Sequence, residues 1–523
     1  MNILMAAAEN NALRYAKAGG LADVIGEIGP ALAKQSCRLT TVIPSYGFIH
    51  LENPAEYIGS VDFHFRGLSQ KADIHRVNAR IPEDPVLHLV FDHPLFAAPA
   101  AGKYRIYMND PSDRPFATDA DRFSLFCTAL AAAIVKGRIE CPDCIHLHDW
   151  HCAFFLILRR FHTDFSSLKT IRTVFTIHNL ALQGTRPMAG DESSLNAWWP
   201  EMVYNPMEIS DPTWTNCVNP MAAGIRFAEA VHTVSPSYAE ELLAPCRKPD
   251  VFSGGECLET DLRLAKHNNR LFGILNGCPY PGSRRPPKLD FHDMIGVFKS
   301  AVLNWTEGKQ TTATSHFLAF ARLSECMRTE RPFILATSVS RLTDQKMLLM
   351  KSRGSTGNTG FLEILRLLES HNGLYILLGT GDPEYERFFS DMSARFERFI
   401  FLNGFSGTCA DLLYANGDLF LMPSSFEPCG ISQMLAMRDG QPCLVHHVGG
   451  LKDTIEPGID GFAFTGATLC EQVDHFVIAI RDALMMKKDA PDRWDHLCSR
   501  AAEKRFSWDE TASMYIENLY RAG

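Results

Sequence analysis

Five side chains carry enough charge and proton-transfer capacity to build a reaction centre. They are Asp149 in "HLHDWH", His178 in "TIHNLALQG", Arg341 and Lys346 in "SRLTDQK", and Glu427 in "SSFEPCG". A guanidinium and an ammonium five residues apart can neutralise a departing diphosphate as its charge develops, without a metal. The other reading of that pair is a solvated loop that contributes little. Glu427 lies between an apolar run and a helical pattern, where it can grip a hydroxyl or cap the helix that follows. Asp149 ends an apolar run, as does His178.

A sixth charge stands in "KAGGLADV", Lys17 to Val24, just ahead of the helical pattern "LADVIGEIGPALAK". Free amides at a helix start attract anions, and glycines such as Gly19 and Gly20 let a phosphate approach the backbone closely. The alternative is a tight strand-to-helix turn with a solvated lysine. The stretch is neither the GxGxxG of a dinucleotide site nor a P-loop. The one later near-match to a P-loop, Gly308-Lys309, continues with Gln310 and has no glycine five places earlier.

Three further groupings draw attention. "ECPDCIHLHDWHC" holds Cys141, Cys144, His146, His148, Asp149, His151 and Cys152, all residue types that ligate zinc. Structural zinc sites usually pair two ligand knuckles, and the chain has no second CxxC; "CIHLHD" reads instead as a buried strand, with successive side chains on opposite faces. No metal site is assigned. Asp119 and Asp121 form a DxD, but they open an apolar helical pattern, where first-turn acids have an ordinary capping role. Trp198, Trp199 and Trp214 can stack on sugar rings, although filling a core is the commoner use of tryptophan.

What must position these residues is legible as short apolar runs alternating with helical patterns. In the first half the strand candidates are residues 3–7, 39–42, 144–147, 173–177 and 230–234; the last is followed by "SPSYAEEL", with Ser235 as helix cap and Pro236 in the first turn. "CPYPGSRRPPKLD", residues 278–290, is too proline-rich for a regular element and reads as a connector. The alternation then restarts at residues 333–339, 374–378, 399–402, 419–423 and 443–445. Such a pattern predicts an α/β fold of parallel strands and crossover helices, in two doubly wound domains with a cleft between them. Ligands of these sheets bind beyond the carboxyl ends of the strands, where each charged motif falls, "GTGD" (residues 379–382) included.

The totals agree. A chain of 523 residues exceeds one ordinary core. A net charge of −9 argues against a general nucleic-acid surface. Fifteen cysteines, dispersed and without a secretory leader, read as reduced thiols. No run of about 18 apolar residues offers a membrane span. The expected location is the cytoplasm.

Taken in order, "KAGGLADV", "HLHDWH", "TIHNLALQG", "HTVSPSYA", "GILNG", "SRLTDQK", "LLGTGD", "FEPCG" and "GGLKDT" resemble the glycogen and starch synthase family of glycosyltransferases, from Met1 through "FSWDETASMYIENLY". The resemblance implies the GT-B arrangement, two Rossmann-like doubly wound domains facing across a deep cleft. These are expected at residues 1–260 and 261–505, with a final helix at 506–523 returning to the first domain. It implies transfer of glucose from a nucleotide sugar, ADP-glucose in bacterial members, to the non-reducing end of an α-1,4-glucan such as glycogen. Configuration is retained, and neither metal nor cofactor takes part.

Carried over by position, the resemblance puts Lys17, Gly20 and Asp23 in the donor site. Asp149, His178 and Asn179 fall beside the transferred glucose, with Asn276 as a further contact. Arg341 and Lys346 take the diphosphate and Glu427 the glucose hydroxyls. Cys429, Gly430, Ile431 and Ser432 serve sugar and phosphate, and Phe405 stacks on the base. The chain departs from the family pattern at Ala222, Pro279, Met347, Leu435 and Val448, and residues 281–330 fit it poorly. The rival readings are a related GT-B transferase with another donor or a small acceptor, and a catalytically silent glucan-binding protein.

Overall fold

The structure is a computed structural model that describes residues 1–97, 105–246, 254–280, 288–307 and 313–521. It resolves into two compact units, Met1–Gly277 joined by Ser507–Gly523, and Cys278–Phe506. The division falls after Gly277 rather than after residue 260. The reason is a three-residue strand, Leu271–Gly273, which pairs in parallel with Ala230–Thr233 and so extends the first sheet. Gly308, Lys309 and Gln310 lie outside the described residues, as do residues 281–287 of the proline-rich connector.

The first unit carries strands β1 (Asn2–Ala6), β2 (Arg38–Pro44), β3 (Ala55–Phe65), β4 (Leu68–Val77), β5 (Leu87–Asp92), β6 (Cys144–His148), β7 (Arg172–Ile177), β8 (Arg186–Pro187), β9 (Cys217–Val218), β10 (Ala230–Thr233) and β11 (Leu271–Gly273). Among the described residues, nine form one sheet in the order β11-β10-β7-β6-β1-β2-β5-β4-β3, while β8 and β9 pair separately. From β1 the chain winds outward through β2 and β5, then crosses back to continue through β6, β7, β10 and β11. The winding therefore reverses between β1 and β6. Pairing is parallel from β11 to β5, and β6 and β10 are buried along their whole length, as unbroken apolar runs covered on both faces require.

The sheet's antiparallel margin was not among the strand candidates. In β3, Val61, Phe63 and Phe65 are buried while Asp62 and His64 are exposed, the alternation of a one-sided sheet. Arg66 and Gly67 join it to β4 with φ of 57° and 71°, the two positive values of a tight hairpin turn.

Helix Gly20–Lys34 follows β1, and helix Asp149–Phe161 follows β6 with every residue from Asp149 to Arg159 buried. Helix Trp508–Tyr515 lies on the first of these: Trp508 Nε1 donates to Glu27 Oε2 at 2.7 Å, and Lys34 pairs with Asp509 at 3.0 Å. At Gly277 an added Cβ would sit 2.7 Å from the Trp508 nitrogen, so only glycine admits this docking.

The second unit is a six-stranded parallel sheet of β12 (Ile334–Val339), β13 (Gly373–Leu378), β14 (Phe399–Leu402), β15 (Leu419–Met422), β16 (Cys443–His446) and β17 (Gly461–Phe464). Its order, β14-β13-β12-β15-β16-β17, reverses between β12 and β15. Alternate residues of β13 feed two cores: Tyr375 and Leu377 one, Leu374, Ile376 and Leu378 the other. The second core is closed by Phe291–Thr306 and Thr314–Cys326, which gives the poorly matching residues a structural task. Among the described residues no helix is long and apolar enough to cross a membrane.

Candidate functional site

In open α/β sheets the crevice at the winding reversal, beyond the carboxyl ends of the two diverging strands, takes the ligand. Each unit has one such point: Lys17, Gly20, Asp23 and Asp149 follow the diverging strands of the first, and Arg341, Lys346, Glu427 and residues 429–432 those of the second. By contrast, His178 and Asn179 follow β7, Asn276 follows β11 and Phe405 follows β14. In the first unit the loop after β1 brings Glu9, Lys17 and the glycine pair; β6 delivers Asp149.

Lys17 Nζ lies 2.6 and 2.8 Å from the two Asp23 carboxylate oxygens, and Asn11 Nδ2 donates to the same carboxylate at 2.7 Å. Glu9, missed in the sequence, is buried here: its Oε2 accepts from the amides of Ala18 and, at 2.6 Å, Gly19, while Oε1 accepts from Tyr107 at 2.7 Å. The anion expected at this turn is thus in part supplied by the protein. Its position directly after the first apolar run is the signal that could have found it. Gly20 is different. An added Cβ there meets nothing within 4 Å and the backbone has no positive φ, so the fold itself does not demand glycine. The open helix start leaves room for a ligand to reach the backbone.

Asp149 begins its helix with φ of 55°, a strained value for a side chain of this kind and one that recurs at functional sites. Its Oδ1 accepts from the His178 amide at 2.7 Å. Burial nevertheless dominates and lifts its pKa to about 7. His178 Nε2 is 2.9 Å from His148 Nδ1, and desolvation lowers the pKa of His178 to about 3. Asn179 is half-buried and its Oδ1 holds the Ala181 amide at 3.0 Å. Asn276, after β11, is buried with an Oδ1 that has no partner among the described residues.

Beneath His148 runs a directed chain. Only the His232 Nε2–H can serve the Ile274 carbonyl at 3.3 Å, so its Nδ1 accepts from the Thr176 hydroxyl at 2.9 Å. Thr176 must then accept from His146 Nε2–H at 2.6 Å, and His146 Nδ1 accepts from the Tyr520 hydroxyl at 2.9 Å. His146 stacks on His148 with ring centroids 4.2 Å apart. Within the zinc-like cluster His146 and His148, two residues apart on β6, share one face and each has a hydrogen-bond partner, His151 lies in the helix that follows, and burial pushes the Cys144 thiol up to about 12. Among the described residues no group of side chains is arranged to hold a metal.

In the second unit, Arg341 and Lys346 follow β12, and Ser424 and Glu427 follow β15. Glu427 is buried, accepting from Lys346 Nζ and, at 2.9 Å, from Ser424 Oγ. Arg341 is exposed and its guanidinium has no partner among the described residues. The loops are laced together: the Ser425 amide donates to the Gln345 carbonyl at 2.8 Å and Gln345 Nε2 to the Phe426 carbonyl at 3.2 Å. Gly450 packs so closely on Cys429 that a Cβ would sit 2.4 Å from its Cα, and its amide donates to the Glu427 carbonyl at 3.0 Å. The "GTGD" glycines have the same purpose: a Cβ on Gly379 would lie 1.9 Å from the Ser340 carbonyl oxygen. Gly430 has φ of 81°, and Gln433 Nε2 holds the carbonyls of Cys429 and Gly430 at 3.2 and 3.0 Å, ahead of helix Ser432–Arg438, which Ile431 precedes. Phe405 is 76% exposed, its carbonyl held at 3.2 Å by Trp305 Nε1.

The remaining expectations divide. Asp119 and Asp121 do not cap their helix: Asp119 holds the Met108 amide at 3.0 Å and Arg122 at 2.8 Å, and Asp121 accepts from Trp198 Nε1 at 2.6 Å. The cap comes from outside, Asp110 accepting from the Thr118 amide at 2.8 Å. Trp198 and Trp199 are core, whereas Trp214 is 64% exposed. Trp214 lines a recess of about 470 Å³ with Phe116, Gln183, Asp211 and Glu256. Of the departures from the family pattern, Ala222 and Met347 are buried side chains.

Two Rossmann-like units with charged residues at both reversal points define a glycosyltransferase of the GT-B class, and the comparisons agree. The family description "Starch synthase catalytic domain" matches residues 2–263, and "Glycosyl transferases group 1" matches residues 356–485. Glycogen synthase of Streptococcus sanguinis is 32% identical over 538 residues, covering 100% of both chains. That of Exiguobacterium sibiricum is 31% identical over 534 residues, covering 100% of this chain and 99% of its own. Among solved structures, the catalytic domain of starch synthase IV from Arabidopsis thaliana, bound to ADP and acarbose, matches with a TM-score of 0.73 and 26% identity over 99% of this chain and 98% of that one. The chain belongs to the glycogen and starch synthase family. It is a glucan synthase.

Proposed function

We propose that the chain transfers glucose from ADP-glucose to the non-reducing end of an α-1,4-glucan, with retention of configuration and without a metal. The observation that carries this is the placement of Arg341 and Lys346 at the β12/β15 reversal. Two cations at a ligand crevice can take up the charge of a departing nucleoside diphosphate in the role a metal would otherwise fill. The ADP held by the starch synthase neighbour supports the nucleotide, and the names of the glycogen synthase relatives support the glucan product.

Glu427, held by Ser424 and Lys346, has one carboxylate oxygen committed; its other oxygen would take glucose hydroxyls. Asp149 and His178 would flank the glucose, and Lys17, Gly20 and Asp23 would face the donor. Asn179, Asn276, Phe405 and residues 429–432 would complete the contacts. A double displacement would need a carboxylate close beneath the anomeric carbon; the family resemblance favours instead attack by the acceptor hydroxyl on the face the diphosphate leaves. For the acceptor, the recess at Trp214 offers an aromatic face beside acids and an amide, the combination that binds sugar rings and hydroxyls.

Purified chain is incubated with labelled ADP-glucose or UDP-glucose, glycogen and EDTA, and label is followed into polymer. Incorporation from ADP-glucose in EDTA is the expected result. Preference for UDP-glucose would overturn the donor, a need for added metal the mechanism, and silence with both donors the reading as a synthase.

A further inference from the structure

A recess of about 620 Å³ in the first unit lies apart from the residues assigned above and is lined by Arg14, Arg76, Arg80, Asn53, Asp84 and His88, among others. Its cationic balance is not cancelled from within. Asp84 is turned onto the Val86 amide at 2.9 Å and the His88 ring at 3.4 Å. Arg14 has no side-chain partner among the described residues, and Arg76 has only a 3.9 Å approach to Glu56. The segment carrying Arg14 is nevertheless fixed. Buried Asn53 accepts from the Arg14 amide at 2.9 Å and donates to its carbonyl at 3.2 Å.

The same recess is wired to the glycine turn. The Arg80 amide donates to the Ala12 carbonyl at 2.8 Å and Arg80 Nη2 to Asn11 Oδ1 at 2.8 Å. Asn11 Nδ2 donates to Asp23 at 2.7 Å, and Asp23 is the partner of Lys17. There is little slack: a Cβ on Gly26 would lie 2.8 Å from the Ala12 nitrogen, so helix Gly20–Lys34 rests directly on the loop backbone.

We infer that the recess of Arg14, Arg76 and Arg80 binds a small phosphate monoester, and that its occupancy is transmitted to Lys17 through Arg80, Asn11 and Asp23. Planar guanidinium forks match phosphate oxygens in pairs, and a dianion exploits several of them at once. Pro54, Ile81, Pro82 and Pro85 give the recess an apolar wall for the carbon skeleton of an ester, which inorganic phosphate lacks. An anion that draws Arg80 from Asn11 loosens the hold on Asp23, and by linkage the donor then alters the anion's affinity by the same factor. Only this second part rests on the donor role given to Lys17 above.

Calorimetric titration of the full chain with glycerol 3-phosphate, ribose 5-phosphate and inorganic phosphate, at fixed ionic strength and without donor, tests the site. Saturable binding of the esters is expected, weakened about tenfold or more in the Arg14→Ala/Arg76→Ala double variant. No saturable binding, or equal binding by that variant, overturns the site; inorganic phosphate binding as tightly as the esters overturns the ester assignment. For the coupling, saturating ester shifts the KM for ADP-glucose by about twofold or more in the parent chain. The double variant, whose kcat and KM without ester match the parent, shows no shift. An unmoved KM alongside proven binding overturns the relay, and a chain inactive with ADP-glucose still reports its ester binding by heat.

Discussion

Asp149 Oδ1 accepts a 2.7 Å hydrogen bond from the backbone amide of His178, joining the ends of β6 and β7 through one buried carboxyl group. The amides of His178 and Asn179 do not repay the loss of water, and the pKa rises from 3.8 to about 7. The native state therefore holds this proton more tightly than the unfolded chain. Its ionisation costs stability as pH climbs from about 4 to 7, and the full cost stands above 7. Asp149→Asn removes that cost: at pH 8 the variant gains up to about 4 kcal/mol in urea unfolding, and at pH 4 the gain disappears. Its glucosyl transfer falls by about 100-fold or more.

The buried histidines act in the opposite sense. Burial depresses His146, His148, His151, His178 and His232, with His151, His178 and His232 brought to about 3. Their contribution is complete above pH 6.5 and drains away as pH falls towards 3, because only the unfolded chain takes up these protons. Each adds a slope of about 1.4 kcal/mol per pH unit in the range between its two pKa values. Urea midpoints should drop steeply below pH 6, the five histidines outweighing the opposite trend of Asp149.

At Lys17 the ion pair with Asp23 is partly open to solvent, so Lys17→Ala lowers unfolding free energy by less than about 1 kcal/mol. On the donor role proposed for Lys17, the same substitution lowers kcat/KM by about 10-fold to 100-fold. A normal rate with a reduced melting temperature would show the lysine to be structural.

Arg341 and Lys346 separate by the same pair of measurements. Arg341→Ala removes an exposed, unpartnered guanidinium and lowers kcat about 100-fold or more with stability unchanged. Lys346→Ala lowers kcat similarly but also leaves Glu427 buried without its cation, costing about 3 kcal/mol or more.

Tyr520→Phe deprives His146 Nδ1 of its donor and lets the ring choose the other tautomer, disturbing the surface on which His148 and then His178 rest. Stability drops by about 1 kcal/mol, and kcat falls several-fold with KM unchanged. A purely structural tyrosine would move the melting temperature and leave kcat in place.

Much of the fold could be read because parallel strands buried on both faces are plain apolar runs: Cys144 to Leu147 and Leu374 to Leu378 declare themselves. The hairpin of β3 and β4 did not, although the alternation from Val61 to Phe65 was there, because its turn is an arginine followed by a glycine rather than an Asn-Gly pair. Motif residues after strands were legible for the same topological reason that places ligands there. Glu9 carried the same signal, a place directly after an apolar run, but the two amides it accepts from nine and ten residues on could not be read from its neighbours. The aspartates of "TDAD" misled because a first-turn acid can tether a distant loop as readily as its own helix.

The docking of residues 508–520 onto the first sheet has a consequence for biosynthesis. The segment bearing Trp508 and Tyr520 leaves the ribosome only after the whole of Cys278–Phe506 has been made. Until then His146 waits without the Tyr520 hydroxyl and Gly277 without the tryptophan it accommodates. The first half of the nascent polypeptide must remain unfinished while the second folds, and a premature stop near codon 507 would damage the oldest part of the chain rather than the newest.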